Sequence, residues 1–230
     1  MSEAPSAAGS PAPAPTPIEF YFDLISPFGY MGSVMIERLA ARYGKRVEWK
    51  PVLLGVTVLN VMGLKPLPKT PLKGPYLRHD APRLAEFLGI AFRFHAHENI
   101  NSLAGLRAFV HLQVHDPRRA TELMRRLYAA LWTEGRDITK AEVVCDEAEA
   151  LGCDGAELLD AIQRPEAKQR LQAAVEAAVS RGVFGVPFFF VDGEPIWGVD
   201  RFWMIEHWLQ HHTWSQPCHA ANPADPETVG

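Results

Sequence analysis

The sequence predicts an α/β protein in which a β-containing domain carries an inserted helical layer, and three patterns support this class. Residues 18–54 show a β-α-β pattern, residues from about 75 to 180 are mostly helical, and residues 183–212 show a β-β-α pattern. Short links join the first strand, the first helix and the second strand, so these two strands should be parallel. A chain of 230 residues is long enough for one large domain with such an insertion.

The opening β-α-β unit is defined by a strand, a cap and a helix breaker. Ile18 to Leu24 is rich in aromatic and branched residues, and its near-continuous apolarity is typical of a central strand. Ser26 is a favourable N-cap, and Pro27 suits the first helical position, where a backbone N–H would be unpaired. The helix should run to about Tyr43 and end at Gly44. One helix face should carry Met31, Met35, Leu39 and Tyr43.

The middle of the chain is predicted to contain a strand, a long loop and then helices. Arg46 to Leu54 should form the second strand, and residues 55–75 a Pro/Gly/Lys-rich loop of a length that is usually functional or mobile. From about Pro75 to Ser180, two apolar sets have helical spacing: Leu103, Leu106 and Val110, and Leu123, Leu127 and Leu131. Capping-box spacing occurs in Thr139 with Glu142 and in Asp154 with Glu157.

The end of the chain returns to β structure. Pro187 to Val191 is predicted to form a strand, and Asp192-Gly193 is typical of a hairpin turn. Pro195 to Trp197 should begin the partner strand, and Asp200 is positioned to cap a last helix. That helix should face inward with Phe202, Ile205 and Leu209.

Composition and charge exclude several classes of partner. The formal net charge is −4, with acidic and basic residues mixed and no Lys/Arg block, so a nucleic-acid partner is not expected. No apolar run reaches the roughly 18 residues of a membrane span. Residues 1–17 carry no basic start or apolar core of a secretory signal, which predicts a cytoplasmic protein. Their Ala/Pro-rich composition predicts a disordered tail, as does that of residues 215–230.

Cysteine and histidine spacing gives no support for a disulfide framework or a metal site. The cysteines are three in number and contain no C-x-x-C pair: Cys145, Cys153 and Cys218. Reduced structural thiols are therefore expected. Two histidine pairs have i,i+4 spacing, His111 with His115 and His207 with His211. Neither pair has an evident third ligand, so solvated helix faces are the better interpretation and no metal is predicted.

Four motifs occur in the order and spacing of one known family. They are Phe22 to Tyr30 (F-D-L-I-S-P-F-G-Y), Lys50 to Gly55 (K-P-V-L-L-G), Phe184 to Pro187 (F-G-V-P) and Trp197 to Arg201 (W-G-V-D-R). On these motifs the chain resembles 2-hydroxychromene-2-carboxylate isomerases and kappa-class glutathione transferases over about residues 18–212. The resemblance implies a DsbA-like thioredoxin fold, with the helical segment inserted into a thioredoxin domain spanning residues 18–214.

Ser26 lies where a thioredoxin-like oxidoreductase would carry its C-x-x-C pair. The segment Ser26-Pro27-Phe28-Gly29 has no thiol and cannot exchange disulfides. A hydroxyl at a helix N-terminus can still donate to an incoming thiolate, and the helix dipole favours negative charge there by about 0.3–1 kcal/mol. A thiol bound there would have a lowered pKa and be nucleophilic at neutral pH. The alternative is that Ser26 is only a helix cap.

The resemblance implies glutathione as that thiol, with Ser26 as the catalytic residue. The residues expected to bind glutathione are Ser26, Lys73, Val186, Pro187, Val199 and Asp200. The resemblance assigns Lys73 to a glutathione carboxylate and Asp200 to the γ-glutamyl ammonium, while Val186, before a proline that is cis in related folds, offers its backbone to the tripeptide. The alternatives are an exposed loop lysine, a helix cap and a proline that starts a strand for local reasons.

The second substrate is expected near Phe28, Asn101 and Trp197. Asn101 is equally well explained as a helix cap. One position departs from the family pattern, because Gly63-Leu64-Lys65-Pro66 has Leu64 where the family often has asparagine. Either glutathione makes one contact fewer here or the second substrate differs.

The function implied by the resemblance is a glutathione-dependent isomerase. It would act on 2-hydroxychromene-2-carboxylate or a similar intermediate of aromatic catabolism by reversible thiolate addition. Two alternatives stay open: a kappa-class transferase or peroxidase, and a non-catalytic glutathione- or peptide-binding module. The resemblance also implies a homodimer.

Overall fold

The computed structural model describes residues 16–97 and 99–215, and its strands form one four-stranded sheet. The strands are β1 (Ile18–Phe22), β2 (Val47–Pro51), β3 (Phe188–Val191) and β4 (Glu194–Trp197), in the order β2-β1-β3-β4. β1 pairs in parallel with β2 and antiparallel with β3, and β3 pairs antiparallel with β4. The predicted α/β class, the parallel first pair and the closing hairpin are confirmed.

Eight α-helices are described around this sheet. They are α1 (Pro27–Arg42), α2 (Lys73–Phe87), α3 (Leu103–His115), α4 (Pro117–Ala129), α5 (Ala141–Glu149), α6 (Gly155–Ala161), α7 (Pro165–Ser180) and α8 (Phe202–His211). The helical stretch predicted between the two β-containing parts is therefore present as α2 to α7. The predicted tails, 1–17 and 215–230, lie almost entirely outside the described residues, as does Cys218.

The segment predicted as a long loop is partly helical. Gly55–Val61 forms a π-helical turn and Leu67–Lys69 a 3₁₀ turn before α2 begins. The buried Thr57 explains the first turn, because its side chain lies inside while the residues around it stay partly or fully exposed. Neither turn has the long apolar periodicity on which sequence-based helix prediction depends.

Among the predicted helix caps, Thr139 and Asp200 are wrong, whereas Asp154 is confirmed, as is Ser26 at the start of α1. Thr139 donates its hydroxyl to Asp137 Oδ1 at 2.6 Å instead of capping α5, which begins without a side-chain cap. Asp200 lies in a 3₁₀ turn, Val199–Arg201, and makes no cap hydrogen bond to α8. Asp154 caps α6 as predicted, its carboxylate accepting from the Glu157 N–H at 2.9 Å.

Aromatic side chains join the sheet to the helical layer. The Phe20 ring stacks on Phe189 at 5.5 Å between centroids and meets Trp49 edge-on at 4.9 Å. Phe22, at the end of β1, meets Phe109 of α3 edge-on at 5.3 Å. Such pairs add about 0.5–1.5 kcal/mol each beyond the burial of their area. The inserted helices and the sheet consequently share one apolar core.

The α3 helix packs near the end of β1 at Gly105. A β-carbon there would lie 2.7 Å from Leu24 Cδ1 and 3.0 Å from Leu127 Cδ1, so a larger residue would require these leucine side chains to shift. The predicted inward faces agree with the structure except at Leu103, which is 39% exposed because it begins α3 at the surface.

Neither a membrane span nor a metal cluster is found among the described residues. None of their helices combines the length and apolarity needed to cross a bilayer. Their His, Cys, Asp and Glu side chains form no group of three or more that is able to hold a metal ion. The two i,i+4 histidine pairs are neighbours on α3 and α8, with ring centroids 5.9 Å and 4.6 Å apart.

Candidate active site

Ser26 caps α1 and keeps its hydroxyl proton available. The residue has extended backbone angles, and its Oγ accepts a hydrogen bond from the Gly29 N–H at 3.0 Å. The Tyr30 N–H donates to the Ser26 carbonyl at 3.0 Å, which closes the first helical turn. Since the Oγ acts only as an acceptor in these contacts, its O–H remains free to donate to a ligand.

The electrostatics at this helix end favour an anion. The first turn of α1 contains no acidic residue, so no side chain within the helix itself offsets the partial positive charge of its N-terminus. The Ser26 side chain is largely withdrawn from water, at 6% relative exposure, and a hydrogen bond donated there is weakly screened. Both predicted roles of Ser26 are therefore compatible: it caps the helix and can donate at the same time.

Pro187 packs against the same helix. The Val186–Pro187 peptide bond is cis. A β-carbon on Gly32 would lie 2.8 Å from Pro187 Cβ, so a glycine at this position lets α1 and the proline segment approach each other. The backbone N–H and C=O of Val186 take part in none of the hydrogen bonds between described residues. They are therefore open to pairing with an extended ligand.

The turn between β1 and α1 is held by side chains of the helical layer. Tyr128 of α4 donates to the Asp23 carbonyl at 3.1 Å. Trp132, in the π-helical turn Ala130–Glu134, donates its indole N–H to the Leu24 carbonyl at 2.9 Å. Burial of these donors and acceptors makes each pair costly to break. The inserted helices thus fix the segment that presents Ser26.

Asp23 is a buried polar residue of this site that the sequence patterns above did not single out. Its side chain is fully buried and accepts hydrogen bonds from Ser102, Ile25 and Leu54. Burial raises the pKa of Asp23 to about 6, while these three hydrogen bonds act in the lowering direction. A signal was present in the sequence: an acidic residue directly follows the aromatic end of a strand, Phe20-Tyr21-Phe22, three places before the helix cap.

The predicted ligand residues outside α1 and the proline segment are mostly exposed. Lys73 is the exposed first residue of α2, and Asp200 has a side chain that is 74% exposed beside Arg201. Val199 is buried, and Trp197 is half exposed and packs edge-on against Phe184 at 4.9 Å. Ser26 caps α1 and Pro187 packs against the same helix at Gly32, while no hydrogen bond or ion pair between described residues joins Lys73 or Asp200 to either of them.

The predicted substrate residues differ in their surroundings. Phe28 is partly buried and packs against the main core. Asn101 is exposed and lies one residue before Ser102, the N-cap position of α3; its side-chain oxygen accepts from the Leu103 N–H at 3.2 Å. Leu64, the departure from the family pattern, is exposed.

A groove of about 1050 Å³ lies elsewhere on the surface. It is lined by residues of α1, β2 and the α3–α4 region and includes none of the predicted site residues. Its charged side chains have both signs, among them Glu37, Lys45, Asp116 and Arg125. The candidate site at α1 is therefore distinct from this groove.

The fold and the arrangement at α1 define a protein class. The family model of the DSBA-like thioredoxin domain matches residues 17–210, and the chain belongs to that family. Within it, the chain is 29% identical over 190 residues to 2-hydroxychromene-2-carboxylate isomerase of Pseudomonas putida, covering 82% of this chain and 92% of that protein. It is also 27% identical over 209 residues to glutathione S-transferase kappa 1 of Homo sapiens, covering 86% and 92% respectively.

A solved structure agrees with these relatives. The structure of a 2-hydroxychromene-2-carboxylate isomerase superposes with a TM-score of 0.77 at 28% identity, covering 85% of this chain and 95% of that one. The predicted resemblance and the DsbA-like fold are confirmed. The relatives are named as isomerases and glutathione transferases, so the chain is similar to enzymes of a glutathione-related isomerase and transferase group.

Proposed function

We propose that the protein is a glutathione-dependent isomerase acting on 2-hydroxychromene-2-carboxylate or a similar aromatic-catabolism intermediate. The observation that carries this proposal is Ser26, a hydroxyl with a free proton at a helix N-terminus that lacks acidic residues in its first turn. The start of α1 has no cysteine, so it is better suited to activating the thiol of a bound ligand than to exchanging disulfides. The similarity to isomerases of this name supports the choice of reaction.

Bound glutathione would supply a thiolate for reversible addition to a conjugated carbon. The new C–S bond would turn the adjacent double bond into a single bond, rotation or ring opening would follow, and elimination would restore the double bond and the thiolate. Ser26 donates its O–H to the sulfur and favours the thiolate over the thiol. The N-terminus of α1 adds about 0.3–1 kcal/mol in the same direction. No oxidant is required, because the bond made to sulfur is broken again.

The tripeptide itself is held by groups around the proline segment. The free backbone N–H and C=O of Val186 pair with the extended peptide as an added strand would. In this proposal Lys73 attracts a glutathione carboxylate, and Asp200, next to the buried Val199, attracts the γ-glutamyl ammonium. The exposed Leu64 contributes no polar contact, which makes binding weaker than with an amide at that position.

The second substrate is proposed to lie between Phe28, Asn101 and Trp197. Phe28 and Trp197 offer aromatic surface, and the side-chain NH₂ of Asn101 stays free because its oxygen accepts the Leu103 N–H. An aromatic acid matches these groups, with its ring on the apolar surface and an oxygen at the amide.

Two measurements made together test the proposal. Purified protein is mixed with 2-hydroxychromene-2-carboxylate and a substoichiometric amount of glutathione, and both isomer formation and remaining free thiol are followed. Many turnovers with constant thiol support the isomerase. Stoichiometric loss of thiol to a model electrophile supports the kappa-class transferase, which the similarity to the human kappa 1 protein keeps as a second candidate.

A third candidate, a non-catalytic glutathione-binding module, rests on the missing amide at Leu64. It predicts glutathione binding by calorimetry without turnover of either substrate type.

We also propose a homodimer, supported by exposed apolar side chains that a partner would cover, among them Leu72 and Phe87. Light scattering at several concentrations tests this assembly, and a monomer at all of them excludes it.

A further inference from the structure

The carboxylate of Asp23 joins three segments of the chain. Its Oδ1 accepts from the Ser102 hydroxyl at 2.5 Å and from the Ile25 N–H at 3.3 Å. Its Oδ2 accepts from the Leu54 N–H at 2.8 Å. An O–H···O separation of 2.5 Å is typical of a bond to a charged carboxylate, and three donors converge on these two oxygens. Asp23 is the acceptor in all three contacts, which an ionised carboxylate can satisfy at once.

Two of these contacts adjoin residues of the proposed site, and the third lies at the start of a segment that reaches another. Ile25 directly precedes Ser26. Leu54 begins the segment that leads through two short helical turns to Lys73. Ser102 directly follows Asn101 and precedes α3. The Asp23 side chain therefore contacts three segments of the chain. One contains Ser26, one leads to Lys73, and one contains Asn101.

We propose that Asp23, in its ionised form, is a positioning residue that fixes Ser26 relative to Leu54 and Ser102. The proposal deepens the proposed function and rests on it only for the identity of the two ligands. When the acid is protonated it offers one donor and fewer acceptor positions, and one of the three segments loses its contact.

Few other ionisable groups face Asp23. Tyr128 of α4 donates to its main-chain carbonyl, and burial together with the Asp23 charge raises the pKa of this phenol well above 10. The remaining contacts, Ser102 from the start of α3, Leu54 after β2 and Ile25 before α1, carry no charge. Among the described residues no cation forms an ion pair with Asp23. His95, whose pKa burial lowers from 6.5, packs against Trp132 with ring centroids 5.0 Å apart and is not among the groups that shift the pKa of Asp23. A pH dependence shared by the three contacting segments is therefore assigned to Asp23.

The first test needs no ligand. In ¹H–¹⁵N spectra of the full chain between pH 4 and pH 8, the amides of Ile25, Leu54 and Ser102 should shift with a common midpoint near 6. Asp23→Asn should abolish this shared transition. Ser102→Ala removes a hydrogen bond that lowers the pKa of Asp23, so it should move the midpoint to higher pH. Ser33→Ala, which removes another buried hydroxyl, should leave the midpoint unchanged.

The outcomes are separable from those of the proposed function. Amides that titrate independently, or a midpoint unaffected by Ser102→Ala, overturn the positioning role, whether or not glutathione binds. If Asp23→Asn fails to fold, the wild-type and Ser102→Ala titrations still decide.

Once turnover can be measured, the kcat of the wild type should fall below pH 6, with the same midpoint as the amide shifts. In Ser102→Ala, this fall in kcat should occur at a higher pH. The glutathione Kd should change less than about threefold in Ser102→Ala, because the variant leaves the sulfur site itself intact. If kcat falls at the same pH in Ser102→Ala as in the wild type, the positioning role of Asp23 is contradicted. If the wild type does not bind glutathione, only the proposed function is contradicted.

Discussion

The hydroxyl of Tyr128 lies 2.8 Å from the position that a β-carbon on Gly29 would occupy. This approach lets the phenol reach the Asp23 carbonyl from α4 while α1 begins beside it. The same imagined β-carbon would lie 3.1 Å from Ser26 Cβ. A side chain at position 29 would therefore disturb both the helix start and the bond that holds the preceding turn.

Gly29→Ala should lower the free energy of unfolding by about 1–3 kcal/mol, because the added methyl displaces a buried phenol that has no room to move. Gly55→Ala is the matched control, since a β-carbon there meets nothing within 4 Å. Urea denaturation of both variants measures the difference. Equal stabilities of the two variants would show that Tyr128 moves without cost.

Ser26→Ala should lower kcat roughly 100-fold or more, the size of effect seen when a donor to a developing or stabilised anion is removed. It should also cost about 0.5–2 kcal/mol of stability because a helix cap is lost. Ser26→Thr, which keeps both the hydroxyl and the cap, should retain most activity. Steady-state kinetics at fixed glutathione provide the comparison, and undiminished turnover in Ser26→Ala would remove this residue from the mechanism.

Lys73→Ala and Asp200→Asn should each weaken glutathione binding about three- to tenfold. The effect is modest because both side chains are exposed and solvent screens their charge. Lys69→Ala, another exposed lysine four residues before Lys73, is the control and should leave the Kd unchanged. Calorimetric titration at low and high salt measures these values. Loss of affinity in the control alone would relocate the carboxylate contact.

The titration of Asp23 should also affect stability. Its pKa is about 6 in the folded protein and is expected at the ordinary aspartate value of 3.8 in the unfolded chain, so between these values the folded state binds more protons. Stability from this group is therefore highest below pH 4 and falls as the pH rises to 6, by about 3 kcal/mol in total. The difference in unfolding free energy between wild type and Asp23→Asn, measured at pH 4 and pH 7, should change by this amount. Parallel curves for the two proteins would refute it.

Much of the fold was predictable because local chemistry and tertiary structure agree. Ser26 and Pro27 start a helix in the sequence and in the structure, and Asp192-Gly193 form the predicted turn, with positive φ at both residues. The errors concern residues whose polar side chains have competing partners. Thr139 bonds to Asp137 rather than to a helix N–H, and a spacing rule contains no information about that neighbour.

The site was predictable only where it is local in sequence. Ser26 is identified by its own neighbours, whereas the role of Asp23 depends on Ser102, which lies 79 residues away. Likewise the donors to the β1–α1 turn, Tyr128 and Trp132, lie 105 and 108 residues from their acceptors. A single sequence carries no record of such pairings, because the packing of the inserted helices determines them.

The location of those two donors has a consequence for attempts to reduce the protein to a smaller unit. The main-chain oxygens of Asp23 and Leu24 accept their side-chain hydrogen bonds from the inserted layer, from Tyr128 and Trp132. A shortened version that kept the sheet, α1 and α8 but omitted that layer would lose both donors and expose the apolar turn around them. The proposed role of Ser26 therefore depends on the inserted helices, and transplanting the helix start alone into another scaffold would transfer the sequence without the contacts that hold it.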